Sequence, residues 1–236
     1  MLVRNERMAN QLTILFVHHR SDDVTRRRVQ RLETLNPGVP IVRLTYGSSD
    51  VLPGTFNAAD VSEFAGESGW HALDLVLYAW YRHRRDAQTE AERYVMAEWD
   101  MVYRVSMAEF YRETWNEDIV GAQVFYCGPH WHWDWFGPCL PRLPAEMRPF
   151  AAALVPMAGV MLSNRALATI ARGPIPRGIF SECRLATLAA YHGFDLVELP
   201  YAKKRNITWK QDFVRMDKDT QAYHPVKQLS LLDEQS

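Results

Sequence analysis

The chain has 236 residues, 47% hydrophobic and 23% charged, an ordinary globular composition that excludes disordered and fibrous classes. Its 27 Lys and Arg against 28 Asp and Glu leave a formal net charge of -1, which gives no overall basic footprint for nucleic acid or anionic lipid. No apolar run approaches the ~18 residues of a membrane span, and the opening MLVRNERMANQ lacks the apolar core of a secretory signal, so a cytoplasmic protein is expected.

Residues 12–18 (LTILFVH) form a short apolar run after a polar start, as a buried first strand does. Ser21, Asp22 and Asp23 then open a helix carrying Val24, Leu32 and Leu35 on one side, and Asn36-Pro37-Gly38 stops it. A second strand is expected at 40–46, and strand, helix, strand implies a parallel pair. Trp70, Leu73, Leu77, Trp80 and Tyr81 recur at helical spacing and predict a helix over 70–85, leading into a third strand at 93–99. Ser106 and Glu109 have the spacing of a capping box. A fourth strand is expected at 118–126, an irregular Pro-rich stretch at 137–156 and a fifth strand at 159–162. A helix from Ser181 closed by Gly193 precedes a strand at 195–199, and a basic, then polar, stretch follows Lys203. Residues 1–236 thus read as one α/β domain with polar tails at about 1–10 and 228–236. Cys127, Cys139 and Cys183 are an odd set without CxxC spacing and read as reduced packing residues.

Ligands of a parallel sheet bind beyond the carboxyl ends of its strands, and Glu98-Trp99-Asp100 ends the third one. If the strand persists through the triplet, Glu98 and Asp100 point to one side and offer two hard oxygen donors. Mg²⁺ or Mn²⁺ takes such carboxylates while binding substrate phosphates.

The order of features resembles nucleotide-sugar glycosyltransferases of the GT-A fold. LTILFVHHR resembles the nucleotide-binding start of that fold, and YVMAEWD its strand ending in a DxD-type metal motif, with Glu98 in place of the first Asp. MAGVMLSN at 157–164 is similar to the acceptor-side strand, and FSE at 180–182 to the acid-bearing helix start, with Ser181 where an acid is frequent. YHPVK at 223–227 resembles the metal-binding His with its nearby Lys. The resemblance implies a three-layer sandwich with a mostly parallel central sheet, a nucleoside-diphosphate sugar donor and a carbohydrate or other hydroxyl acceptor. It implies a metal held by Glu98, Asp100 and His224, with Lys227 near the phosphates and Glu182 as the base of an inverting transfer. His18, His19 and Arg20, at the end of the first strand, are candidates to meet the nucleotide, as is Asp74. At a helix start, Glu182 is expected to be pushed toward its ionised form by the helix dipole. Two other readings stand beside this one: a nucleotidyltransferase, disfavoured by the lack of a Gly-rich, basic signature after the first strand, and a non-catalytic carbohydrate-binding or scaffold protein.

Three of the eight Trp lie in residues 130–136, HWHWDWF. An extended chain there would place His130, His132 and Asp134 on one face and Trp131, Trp133 and Trp135 on the other. The indoles suit the apolar faces of an acceptor sugar. The imidazoles and carboxylate are instead the donors of a metal site, although alternate side chains of one strand stand too far apart to converge readily on one ion. A packed aromatic loop without a ligand is the third possibility.

Overall fold

The protein is described from a computed structural model covering residues 8, 11–67, 71–83, 91–129, 133–208 and 220–227. Strand β1 (Leu12–Val17) is buried along its whole length, as a run apolar at every position but Thr13 requires of a strand covered on both faces. Helix α1 (Asp23–Leu35) begins at Asp22, whose carboxylate accepts the Thr25 amide N–H at 3.0 Å. It ends at buried Asn36, which donates to the Leu32 carbonyl at 2.8 Å and accepts the Met107 N–H at 2.7 Å. The chain reverses at Gly38, φ +79°, a left-handed position that favours glycine. β2 (Ile41–Thr45) returns parallel to β1, with Ile14 opposite Ile41, and β3 (Phe56–Asn57) extends the sheet.

Helix α2 (Leu75–His83) starts later than the expected residue 70. Ser181, more than a hundred residues on, accepts the Leu73 N–H at 2.9 Å and so takes up a donor just before the helix. Residues 68–70 and 84–90 lie outside the described residues. β4 (Arg93–Glu98) pairs in parallel with β1, Val17 opposite Glu98, and β5 (Val102–Tyr103) follows a turn. At Ser106 the side chain does cap Glu109, but only one helical turn, Met107–Phe110, results.

The strand expected at 118–126 divides at Ala122 into β6 (Ile119–Gly121), in the main sheet, and β7 (Gln123–Tyr126), which pairs with β8 (Ala152–Val155). The two sheets meet closely at Gly121, where a Cβ would lie 2.6 Å from Leu154 Cδ2. Residues 137–156 are therefore not wholly irregular. β9 (Met161–Ser163) begins two residues late because Gly159 turns the chain at φ +73°. Helix α3 (Asn164–Arg172), absent from the sequence expectation, has Ser163 as its N-cap and buries Ala166, Leu167, Ile170 and Ala171 at helical spacing. Helix α4 (Ser181–Tyr191) stops before Gly193 as expected, and β10 (Leu196–Glu198) follows. β11 (Ala222–Tyr223) pairs antiparallel with β5.

The seven-stranded sheet runs β10-β6-β9-β4-β1-β2-β3, with β9 alone antiparallel to its neighbours. Alternation along β1 divides the core in two. Leu15 and Val17 join residues of α2, α3 and α4, whereas Ile14 and Phe16 join Val29 and Leu32 of α1. The result is a three-layer α/β sandwich with a mostly parallel central sheet, the fold class that the sequence implies. Among the described residues no helix is long and apolar enough to cross a membrane.

Candidate active site

β1 and β4 end side by side, and the chain beyond β4 is a turn rather than a continued strand. The Met101 N–H reaches the Glu98 carbonyl at 2.9 Å, while Trp99 N–H still bonds Val17 at 3.0 Å. The alternation expected through Glu98-Trp99-Asp100 is therefore replaced by a turn, although both carboxylates still reach one place. Residues 220–227 bring the third group. β11 lies along β5, the Val226 N–H donates to the Asp100 carbonyl at 2.7 Å, and the His224 backbone is held by Asn206 and Thr208 at 2.9 and 3.0 Å.

Ligating atoms of Glu98, Asp100 and His224 all lie within 4.8 Å of one another. His224 donates from Nδ1 to the Thr208 carbonyl at 2.9 Å, which turns Nε2 toward Asp100 Oδ1, 3.4 Å away. That oxygen is buried and makes no hydrogen bond among the described residues. Burial pushes the Glu98 carboxyl up to about 7, His224 opposing the rise and Asp100 adding to it. Burial also disfavours His224 as a cation, but the Asp100 and Glu98 carboxylates outweigh it and raise the imidazole pKa. Two crowded acids, one with a buried oxygen whose near neighbour is the His224 ring at 3.4 Å, and an imidazole of fixed tautomer fit a hard divalent cation.

A cavity of about 610 Å³ opens beside these acids, bounded by both of them and by His18, His19, Arg20, Tyr46, Leu73, Trp99 and Lys227. Arg20 pairs with Asp22 and lays its guanidinium over the Trp99 ring, 4.8 Å from the centroid, and His19 meets the same ring edge-on at 5.1 Å. Lys227 is exposed at the rim. His18 differs from expectation: Nδ1 bonds the Arg20 carbonyl and Nε2 the Thr55 hydroxyl, both at 3.0 Å, and burial lowers its pKa. It walls the cavity with both ring nitrogens occupied. His19, at the end of the first strand, lines the cavity as well. Tyr46 and Trp99 are lining residues that sequence reasoning missed, although each ends, or directly follows, a strand named for the same sheet edge.

Asp74 is a correction. Its carboxylate is 0% exposed and taken by Arg184, also 0% exposed, so it is closed to a nucleotide. Glu182 lies in the first turn of α4, 2% exposed, and is not among the lining residues of the cavity. Burial pushes its carboxyl up to about 8, with the Glu98 and Asp74 charges adding, so desolvation overrides the ionising effect expected from the helix dipole.

The extended alternation over 130–135 is not seen at its described end. His130, Trp131 and His132 lie outside the described residues, and the chain from 133 turns, Phe136 N–H bonding the Trp133 carbonyl at 3.2 Å. Trp133 is 7% exposed and packs edge-on against Phe136, whereas Trp135 is 53% exposed. Trp135 lies 5.0 Å from Phe180, which lies 4.7 Å from His71, so a row of three rings, exposed at Trp135 and half-buried at the other two, leads to residues 72 and 73 of the cavity wall.

Neither a protein-family model nor a curated protein matches the sequence. Among solved structures, the chain is similar to glucosyl-3-phosphoglycerate synthase from Mycobacterium tuberculosis, determined with Mn²⁺, uridine-diphosphate-glucose and phosphoglyceric acid. The two share 12% sequence identity and a TM-score of 0.48, over 84% of this chain and 74% of that one.

Proposed function

We propose that the protein is a divalent-cation-dependent glycosyltransferase that moves a sugar from a nucleoside diphosphate to a hydroxyl acceptor, with inversion at the anomeric carbon. The observation that carries this reading is the convergence of Glu98, Asp100 and His224 at the edge of a cavity that also presents Arg20 and Lys227. Glu98, Asp100 and His224 would hold Mn²⁺ or Mg²⁺, which when bound neutralises charge on the departing diphosphate. Arg20 and Lys227 attract the phosphates, and the Trp99 and Tyr46 rings offer flat walls to the base or sugar. Glu182 lies behind the cavity wall, 2% exposed. It is the base if the first turn of α4 brings its deprotonated carboxylate to the acceptor hydroxyl, whose proton it then takes as the oxygen bonds to the anomeric carbon and the carbon–diphosphate bond breaks.

The test is to incubate the protein with a panel of nucleoside-diphosphate sugars, with Mn²⁺ or with a chelator, and to identify the products. Release of nucleoside diphosphate only when metal is present is expected. Pyrophosphate or nucleoside monophosphate would instead indicate nucleotidyl transfer, and metal-dependent binding without turnover would indicate a non-catalytic protein.

The row Trp135–Phe180–His71, exposed at Trp135 and half-buried at the other two rings, serves the acceptor. An aromatic contact contributes about 0.5–1.5 kcal/mol beyond its area, so Trp135→Ala should raise the acceptor KM roughly 3- to 10-fold while donor affinity stays unchanged. Trp133→Ala acts differently, because removing a buried Trp costs about 3–5 kcal/mol of stability. Steady-state kinetics against both substrates, with melting curves, separates the two indoles. An unchanged acceptor KM in Trp135→Ala removes the acceptor role.

A further inference from the structure

The buried ion pair between Arg184 of α4 and Asp74 ahead of α2 has no part in the chemistry above, and its surroundings are unusually complete. Arg184 Nε donates to Asp74 Oδ2 at 2.9 Å, and Nη2 reaches both Asp74 Oδ1 and the His71 carbonyl at 2.5 Å. Nη1 donates to the Ile179 and Pro176 carbonyls at 3.2 and 3.3 Å. One turn earlier on α4, Ser181 Oγ accepts the Leu73 N–H at 2.9 Å. A second arginine continues the seam at the surface: Arg177 binds the Glu67 carboxylate at 2.9 Å and the Ala65 carbonyl at 2.8 Å, and Gly178 N–H donates to the same carboxylate at 2.7 Å.

A well-packed apolar pair of similar volume is often as stable as a buried ion pair, so stability alone does not account for this one. What a guanidinium fork gives, and a hydrocarbon does not, is a fixed direction at each end. Here one end is the segment that supplies Ala72 and Leu73 to the cavity wall and His71 to the aromatic row. The other end is the segment that supplies Phe180 and Glu182.

We propose that Arg184 and Asp74 are positioning residues, which set the first turn of α4, with Glu182 and the Phe180 ring, in register with the cavity wall at residues 71–74. This rests on the functional reading of Glu182 and Phe180 given above. The metal-ligating groups stand on β4, its following turn and the segment 220–227, outside the seam. The pair therefore controls turnover and acceptor geometry without controlling nucleotide binding.

The test uses the full chain labelled with 5-fluorotryptophan, its resonances assigned by single Trp→Phe variants. Arg184→Met combined with Asp74→Leu removes the fork and leaves no buried charge unpaired, and Arg184→Lys keeps the charge but loses the fork. In each variant that folds, Mn²⁺-dependent binding of uridine, adenosine and guanosine diphosphates should stay within about 2-fold of wild type. The kcat should fall about 10²-fold, as expected when a reacting group is misplaced by roughly an ångström. The Trp135 resonance, reporting its contact with Phe180, should move while that of Trp99 stays. Wild-type kcat with an unmoved Trp135 resonance overturns the proposal, as does nucleotide affinity falling in step with kcat. If wild type transfers no sugar at all, the glycosyltransferase reading fails by itself. The Trp135 and Trp99 resonances then decide whether the pair positions α4.

Discussion

Asp100→Asn should lose at least 10²-fold in Mn²⁺-dependent affinity for a nucleoside diphosphate, a difference of about 2.7 kcal/mol. The amide keeps one oxygen but not the charge that holds the cation against two phosphates, and it adds an NH₂ group that cannot ligate. The effect is large because Asp100 Oδ1 is buried beside the His224 ring, 3.4 Å from Nε2, where a cation would sit between the two groups. Glu98→Gln should weaken binding in the same direction, and His224→Ala should raise the Mn²⁺ concentration required. Calorimetry with Mn²⁺ and with a chelator measures all three. Equal, metal-independent binding in wild type and Asp100→Asn would sink the metal assignment.

The second large effect is on turnover. Glu182→Gln preserves size, and if the carboxylate is the base, kcat should fall by about 10²–10⁴ with nucleotide affinity unchanged. Wild-type kcat should rise as pH is raised through about 8, because the folded carboxyl must first lose its proton. Stability runs the other way. The folded pKa of about 8 lies above the ordinary 4.5, so the folded state prefers the protonated acid. That contribution is full below about 4.5 and is lost as pH rises through about 8. The Gln variant, which cannot ionise, should therefore melt higher than wild type at pH ~9 and gain little at pH ~5. Rate profiles and melting curves over this range check both signs. A variant with near wild-type kcat and an unchanged pH profile removes Glu182 from the chemistry.

Much of the fold is legible because its signals are local. Asp22 and Gly38 bracket α1, Gly193 closes α4, and the apolar run of β1 announces a strand covered on both sides. The signal for α3 is equally local, in Ser163 and the spacing of Ala166, Leu167, Ile170 and Ala171, but lies behind a strand-like run that draws the eye. The division of β6 from β7 is not local, since it depends on the Leu154 side chain packed against Gly121.

Within the site, Glu98, Asp100 and His224 are identifiable as donor types, and the structure brings them together. What the sequence cannot carry is burial. Asp74 looks like a polar residue on a helix face until Arg184 is seen to take both of its oxygens. Glu182 looks like an ionised first-turn acid until the protein closes over it. Strict alternation over 130–135 suggests an extended chain, but the turn formed by Trp133 and Phe136 puts neighbouring indoles in different environments.

The docking of residues 220–227 onto the turn after β4 has a consequence for timing. Every strand of the seven-stranded sheet lies before residue 199, so during synthesis the sheet can be assembled while His224 is still inside the ribosome. Clipping between residues 208 and 220 followed by loss of the distal piece would leave all seven strands in place and remove both His224 and Lys227. Far-ultraviolet spectra would register little change, because the lost part contributes only a two-residue strand to the regular structure described. For this molecule, an intact sheet and an intact centre are separate properties, and a preparation judged by its secondary structure alone can hold the first without the second.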